Sequence, residues 1–388
     1  MNDEHPAANA AARYIMIGGF LGAGKTTAVS RLARYLNERG LRVGLITNDQ
    51  GSQLVDTAML ASHGFPVEEI AGGCFCCRFN SLVEAAGKLS ATSRPEVFIA
   101  EPVGSCTDLV ATVSYPLRRI YGEAFAIAPL SVLVDPVRAA RVLGLAEGGR
   151  FSEKVAYIYR KQLEESDFIV INKCDLVPAE ELARLRGALE TEFPGRVVFE
   201  VSARSGAGLE EWFEAILNTA AGRRLAMAVD YEVYADGEAL LGWLNATVRL
   251  RGATGFDGTA ALRTLAGEVQ QRLREAGAEI AHLKMTLDPV GGMGGLAVIN
   301  LVRNDFVAEL SQALEDEVEA AELILNVRAE APAEVLRGAL EGSLGAVFGA
   351  GRAVTARLEH LEFFQPGKPQ PTHRMTDWNA TAEENLER

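Results

Sequence analysis

The chain has no long hydrophobic run and no surplus of basic residues. Its 388 residues contain no stretch that approaches the roughly 18 consecutive apolar residues of a membrane-spanning helix. Residues 1–13 are Ala-rich and polar, so they do not resemble a secretory signal. Lys and Arg total 38 against 52 Asp and Glu, and the net charge of −14 argues against nucleic-acid binding through overall basic charge. We expect a cytoplasmic protein with neither a membrane nor a nucleic acid as its partner.

Cysteine and histidine are scarce as well. The five histidines are scattered along the chain, and the five cysteines all precede residue 175. Three of these cysteines lie within residues 74–77, which is not how a secreted domain distributes its disulfides. The chain does contain 48% hydrophobic and 23% charged residues, a globular composition, and its length suits two domains.

The first half of the chain alternates short apolar strands with amphipathic helices. The predicted strands are 14–17, 43–47, 97–100, 131–134, 168–171 and 197–201, and the predicted helices are 26–37, 81–89, 153–165, 179–192 and 209–217. This alternation predicts the α/β class, with a mostly parallel sheet covered by helices on both faces. We place this domain at residues 13–222, after a flexible leader at residues 1–12.

The second half has a different pattern. Its predicted strands are 243–250, 280–287, 296–302 and 323–327, and its predicted helices are 259–276 and 333–348. This order predicts a smaller α+β domain of the ferredoxin-like type at residues 231–364. The remaining residues, 365–388, contain three prolines followed by acidic residues, and we expect them to form a mobile tail.

A phosphate-binding loop is the strongest motif in the sequence. Residues 19–26 read GFLGAGKT and fit G-x-x-x-x-G-K-[ST] at every fixed position, between a predicted strand and a predicted helix. The glycines allow backbone N–H groups to surround a phosphate, Lys25 reaches the β- and γ-phosphates, and the Thr26 hydroxyl binds Mg²⁺. A glycine-rich turn without a ligand is the alternative. The residues predicted to bind the phosphates are Gly19, Gly22, Ala23, Gly24, Lys25, Thr26 and Thr27.

The sequence Asn172-Lys173-Cys174-Asp175 follows a predicted strand and indicates guanine as the base. The Asp175 carboxylate would accept hydrogen bonds from the ring N–H and the amino group of guanine, a pair that adenine lacks. Asn172 would brace the loop, and the stem of Lys173 would lie along the base. Ser202 and Ala203, after the next strand, would offer a backbone N–H to the guanine carbonyl. The alternative is a solvated turn, because Asn and Asp are common in turns.

The three clustered cysteines, Cys74, Cys76 and Cys77, predict a metal site. Three thiolates can hold a Zn²⁺-like ion and leave one position for a fourth ligand or water. Buried small hydrophobic residues and a redox relay are the alternatives. Cys106 and Cys174 are isolated in the sequence, and we expect them to be ordinary packing residues.

Three segments together resemble the CobW-type family of P-loop GTPases, which is related to the nickel-insertion GTPases of hydrogenase and urease. They are residues 18–27, residues 73–77 and residues 172–175. The resemblance covers roughly the first 220 residues. It implies GTP hydrolysis coupled to delivery of a metal ion, Zn²⁺ or Co²⁺, or of a metallocofactor, to a client protein.

Two further segments match family positions. Residues 48–51 resemble the family's Asn-Glu-Phe-Gly switch, with Asp49 in place of Glu, and residues 101–104 resemble its Glu-x-x-Gly element. The resemblance implies that Glu101 holds Mg²⁺ through water or orients the attacking water, and that Asp49 makes an indirect contact with Mg²⁺. An acidic turn and an acidic strand end are the structural alternatives. We take Lys25, Asp49 and Glu101 as catalytic candidates, and Thr26, Asp49 and Glu101 as the Mg²⁺ site.

These observations predict a GTP-gated metallochaperone with slow intrinsic hydrolysis, since no arginine finger can be identified in the sequence. The rival functions are a GTP-dependent scaffold or metal store with negligible hydrolysis, a P-loop small-molecule kinase and a redox protein. The metal, the client and the oligomeric state, a homodimer included, stay open.

Overall fold

The computed structural model describes residues 11–48, 60, 64–122, 124–222, 225–291 and 295–377. Within these residues, the first half contains an eight-stranded sheet in which the paired strands are all parallel. Its strands are β1 Ala12–Gly19, β2 Val43–Asn48, β3 Val67–Ile70, β4 Val97–Glu101, β5 Phe125–Ile127, β6 Ser131–Val134, β7 Phe168–Ile171 and β8 Val197–Glu200. The order across the sheet is β3-β2-β4-β1-β6-β7-β8, and β5 pairs with β1.

Helices cover both faces of this sheet. They are α1 Lys25–Glu38, α2 Phe79–Thr92, α3 Tyr115–Tyr121, α4 Pro136–Val142, α5 Glu153–Glu165, α6 Ala179–Glu192 and α7 Leu209–Asn218. Along β1, Tyr14 and Met16 lie in one hydrophobic core, whereas Ile15 and Ile17 lie in the core on the opposite face. Because successive strand residues point to opposite faces, a continuous apolar run lets one strand serve both cores. The predicted α/β fold with a parallel sheet is therefore confirmed.

The second domain is built on an antiparallel sheet. Its strands are β9 Leu241–Phe256, β10 Glu279–Pro289, β11 Ala297–Leu301, β12 Glu309–Gln312, β13 Val318–Glu330 and β14 Val354–Phe364, in the order β12-β11-β10-β13-β9-β14. Helices α9 Gly258–Glu275 and α10 Ala333–Phe348 pack on one face of this sheet. The strands β9, β10, β13 and β14 with these two helices have the predicted ferredoxin-like order. The β11–β12 hairpin extends the sheet beyond β10.

The connection between the domains includes a further helix, α8 Tyr231–Ala239. The predicted domain bounds place residues 231–239 in the second domain, without a helix, yet Tyr234 lies in a core of the first domain together with Leu241 and Trp243. The polypeptide is thus packed continuously across the predicted boundary. Among the described residues, no helix is both long and apolar enough to cross a bilayer.

Candidate functional site

The predicted phosphate loop connects the end of β1 with the start of α1. Gly19 and Gly24 have φ angles of +129° and +91°, in the region that favours glycine. A Cβ on Gly19 would collide with the Leu133 carbonyl oxygen, and one on Gly24 with the side-chain amide of Asn172. The first turn of α1 has no acidic residue and no side-chain cap. Its backbone N–H groups, with the positive end of the helix dipole, therefore form an anion-binding site.

Two buried oxygen-bearing side chains lie directly behind this loop. The Thr26 hydroxyl donates a hydrogen bond to Glu101 Oε1 at 3.0 Å, and Lys25 Nζ donates to the Gly19 carbonyl oxygen at 3.0 Å. A hydroxyl and a carboxylate are hard oxygen ligands, so Thr26 and Glu101 fit the preference of Mg²⁺. The third predicted member of this set, Asp49, lies outside the described residues.

The side chain of Asn172 joins the loops of the predicted guanine site. Its Nδ2 donates to the Ala23 carbonyl oxygen at 2.9 Å, and its Oδ1 accepts from the Ala203 backbone N–H at 2.9 Å. Lys173 Nζ donates to the Gly22 carbonyl oxygen at 2.7 Å, which sets the lysine stem alongside the phosphate loop. Asp175 is exposed at the turn that follows.

These residues line one cleft of about 450 Å³, a volume typical of small-molecule sites. The cleft contains, from the first domain, Gly22, Gly24, Lys25, Thr26, Thr27, Asn48, Glu101, Asn172, Lys173, Asp175 and Ala203. Ser202 is fully buried beside Ala203. The opposite wall of the cleft is formed by residues of the second domain, in which the sequence analysis finds no nucleotide-binding motif.

The three clustered cysteines converge in the folded chain. Their Sγ–Sγ distances are 2.7 Å for Cys74–Cys76, 3.1 Å for Cys74–Cys77 and 3.8 Å for Cys76–Cys77. Cys74 and Cys76 are buried, and Cys77 is half-buried. Gly72 and Gly73, with φ angles of +75° and +152°, provide the bend that brings the sulfur atoms together. Three soft donors that converge in this way are the ligand type that a Zn²⁺-like ion prefers.

Cys106 differs from the expectation of an isolated packing residue. It is buried beside Cys74, and a hydrogen bond with Cys106 is the largest of the interactions that hold the pKa of Cys74 well below its ordinary value. The sequence around Cys106 contains no pattern that predicts this contact. Cys174 is half-buried on the guanine turn and remains outside the cluster.

The segment after β14 passes over the cysteine cluster. The backbone N–H of Gln370 donates to Cys77 Sγ at 3.2 Å, and the Thr372 backbone N–H donates to the Cys76 carbonyl oxygen at 2.8 Å. Arg374 Nε then forms an ion pair with Asp108 Oδ2 at 2.7 Å. Residues 365–377, expected to be a mobile tail, therefore make specific contacts with the first domain. Residues 378–388 lie outside the described residues.

Two short connections join the nucleotide cleft to the cysteine cluster. The Asn48 side chain, in the wall of the cleft, donates from Nδ2 to the carbonyl oxygens of Ile70 and Gly73 at 2.9 and 2.6 Å. The second connection is the loop from Glu101 to Cys106, which begins at the Thr26 hydroxyl and ends at Cys74. Residues of the cleft wall are therefore linked to the cysteine cluster by direct contacts and by one short loop.

The loop geometry, the parallel sheet and the Asn-Lys-x-Asp turn define a P-loop nucleotide-binding domain followed by an antiparallel-sheet domain. Residues 13–199 match the model of the family described as CobW/HypB/UreG, nucleotide-binding domain. The nucleotide-binding domain of this chain belongs to that CobW-type family of P-loop GTPases, as its motifs predict.

Individual proteins and solved structures are similar to parts of the chain. The zinc chaperone CobW of Sinorhizobium sp is 29% identical over 200 residues, which are 44% of this chain and 53% of that protein. The zinc chaperone YeiR of Escherichia coli strain K12 is 30% identical over 172 residues, 43% of this chain and 48% of that protein. The chain thus spans about half the length of these curated relatives. The solved Zn(II)-bound YjiA GTPase from E. coli aligns with 86% of this chain and 98% of its own, at 14% identity and a TM-score of 0.36.

Proposed function

We propose that this protein is a GTP-binding and GTP-hydrolysing metallochaperone that releases a metal ion to a client protein under control of the nucleotide. The observation that carries the proposal is the Asn48 side chain, which contacts the cysteine loop at Gly73 from the wall of the nucleotide cleft. The relatives named zinc chaperones favour Zn²⁺ as the cargo over Co²⁺. The cargo site is formed by Cys74, Cys76 and Cys77.

The nucleotide would be held by complementary charge and geometry. Backbone N–H groups at Gly22, Ala23 and Gly24 and at the start of α1 surround the phosphates, and Lys25 neutralises the charge that develops during transfer to water. Thr26 and Glu101, with Asp49, would hold Mg²⁺, which supplies further neutralisation when bound. At the other end, Asp175 accepts from guanine while Asn172 and Lys173 fix the turn that carries it.

Hydrolysis would change the surroundings of Asn48, the last residue of β2. In P-loop GTPases, loss of the γ-phosphate releases segments that the phosphate had ordered. Because Asn48 contacts Gly73, such a release would loosen the backbone on which the thiols are mounted. The ion would then pass to a client whose ligands replace the three cysteines. In the absence of a client, we expect slow turnover.

The decisive experiment is a zinc titration against a competing chelator, with the protein bound either to GDP or to a GTP analogue that resists hydrolysis. We expect the complex with the GTP analogue to bind zinc about 5–150-fold more tightly than the complex with GDP, because allosteric coupling energies are typically 1–3 kcal/mol. In an Asn48→Ala variant, the zinc affinities of the two nucleotide states should differ much less. Equal zinc affinities in the two nucleotide states would rule out gating. GTP turnover, with Lys25→Ala as the blank, separates this function from a scaffold that does not hydrolyse GTP.

Replacing Gln370 with Pro should weaken zinc binding about tenfold, because outer-sphere partners of a metal ligand typically contribute this much affinity. Proline has no backbone N–H, so the hydrogen bond to Cys77 Sγ is lost. The matched control is Gln370→Ala, which keeps the N–H and should bind zinc within about twofold of the natural protein. The measurement is again a chelator competition. Equal affinities of the two variants would mean that the segment at 370 does not support the cargo site.

A further inference from the structure

The antiparallel sheet of the second domain presents a face of mixed polar and apolar residues to the nucleotide cleft. Along β10, Leu283, Met285 and Leu287 point into the core between the sheet and its own helices. The intervening residues point to the other face, and two of them, His282 and Lys284, line the cleft. Neighbouring strands add Asn300 from β11 and Ser311 and Gln312 from β12. The cleft is thus closed on one side by a different domain from the one that carries the sequence motifs.

A buried arginine fixes this sheet directly to the phosphate loop. Arg138 donates to the Leu21 carbonyl oxygen at 2.7 Å, within the loop itself. The same guanidinium donates to the carbonyl oxygens of Ile280 and Ala281 at 3.1 and 3.2 Å, and to that of Val302. The start of β10 and the end of β11 are therefore held at the loop by one side chain that is only 4% exposed.

A second connection runs through the predicted guanine turn. Asp135 accepts from Lys173 Nζ at 2.9 Å through one carboxylate oxygen, and from Arg303 of the second domain at 2.9 Å through the other. The lysine, the arginine and the helical N–H of Arg138 keep the pKa of Asp135 well below its usual range, despite burial. At the base end of the cleft, Arg204 pairs with Glu309 at 3.1 Å, and both residues line the cleft. Contacts between the domains therefore lie at both ends of the cleft.

The charges on the β10 wall match a phosphate ligand. Burial and then the positive charges of Lys284, Arg328 and Lys25 hold the pKa of His282 well below its ordinary value, so its imidazole is neutral. Lys25 and Lys284 line the same cleft from its two walls, and the charge of each lowers the pKa of His282. A positive charge on each wall of one cleft favours the binding of an anion in the space between the walls. The phosphates of a nucleotide on the loop would provide that anion.

We propose that Lys284 of the second domain is a phosphate-binding residue of the nucleotide site, so that GTP is bound between the two domains rather than on the P-loop domain alone. This inference rests on the proposed function. Lys284 would place a further positive charge at the phosphates from within the same chain. The sequence indicates no arginine finger for this role.

The test compares Lys284→Met, which removes the charge but keeps the length of the side chain, with Lys284→Arg, which keeps the charge. Arg251→Met is the matched control, because Arg251 is exposed on β9 of the same sheet and does not line the cleft. Dissociation constants are measured with a fluorescent GTP analogue that resists hydrolysis, at low and at high salt. Thermal unfolding without nucleotide reports on the fold of each variant.

We expect Lys284→Met to bind the analogue about tenfold more weakly at low salt, as for one lost charge-assisted hydrogen bond, with a smaller difference at high salt. Lys284→Arg should recover most of the affinity, and Arg251→Met should match the natural protein. Binding by Lys284→Met within twofold of the natural protein, while Lys25→Ala has lost binding, would overturn the inference and leave the proposed function intact. If the natural protein itself binds no guanine nucleotide, the proposed function fails and the inference fails with it.

Discussion

Replacing Asp175 with Asn is expected to lower the affinity for GTP by at least about 100-fold and to create affinity for xanthosine triphosphate. The carboxylate accepts two hydrogen bonds from guanine, and hydrogen bonds to charged groups each contribute about 1.5–3 kcal/mol. An Asn amide directs N–H groups at a base edge that also carries N–H groups, so donor faces donor. Xanthine has a carbonyl oxygen where guanine has its amino group, and an Asn amide can donate to that oxygen. Nucleotide affinity is measured by fluorescence titration with both bases.

The neighbouring residue supplies a control for this exchange. Cys174 lies in the same short turn as Asp175 and is half-buried. A Cys174→Ser variant therefore tests whether any change in the turn weakens binding, and it should leave the preference for GTP in place. An Asp175→Asn variant that keeps its GTP affinity and ignores xanthosine triphosphate would show that this turn does not read the base. ATP should be bound weakly by all three proteins.

The elements that the sequence predicts best are those with a continuous apolar run or a strong helical period. The predicted bounds of α5, α6 and α10 agree with the structure, as do those of β6 and β7. The missed strands lack that signal. The edge strand β3 is half-buried and carries Glu68 and Glu69, and β14 is an edge strand of the second domain whose residues are half-buried or exposed. Their pairing is decided by neighbouring strands, which local composition does not report.

The residues of the site also fall into two groups, those that the sequence predicts and those that it does not. The phosphate loop, the guanine turn and the cysteine cluster are contiguous in the chain, so their chemistry can be predicted from spacing. Contacts between distant segments have no such pattern. Asp135 is followed by Pro136, which indicates the start of a helix, but nothing in the sequence indicates a partner 168 residues away at Arg303. The contact of Cys106 with Cys74 and that of Gln370 with Cys77 are of the same kind.

Replacing Cys74 or Cys76 with Ser is expected to weaken zinc binding by about 100-fold or more. Structural zinc sites are stabilised by about 10–16 kcal/mol, so one of three or four thiolates represents roughly 3 kcal/mol, equivalent to a factor above 100. Both thiols are buried and lie within 3.8 Å of the other sulfur atoms of the cluster, so a harder and less acidic hydroxyl replaces a central ligand. The measurement is chelator competition on the full-length protein, with nucleotide state held constant.

Two other cysteines of the chain, Cys174 and Cys106, provide controls for these substitutions. Cys174→Ser removes a thiol outside the cluster and should leave zinc affinity unchanged. Cys106→Ala removes only the hydrogen bond to Cys74 and should cost about tenfold, as for an outer-sphere partner. A Cys106 variant as weak as Cys74→Ser would instead make Cys106 a fourth ligand, and the site would then be closed to water. Unchanged affinity in both Cys74→Ser and Cys76→Ser would remove the cargo site from this loop, since no other set of three cysteines converges within the described residues.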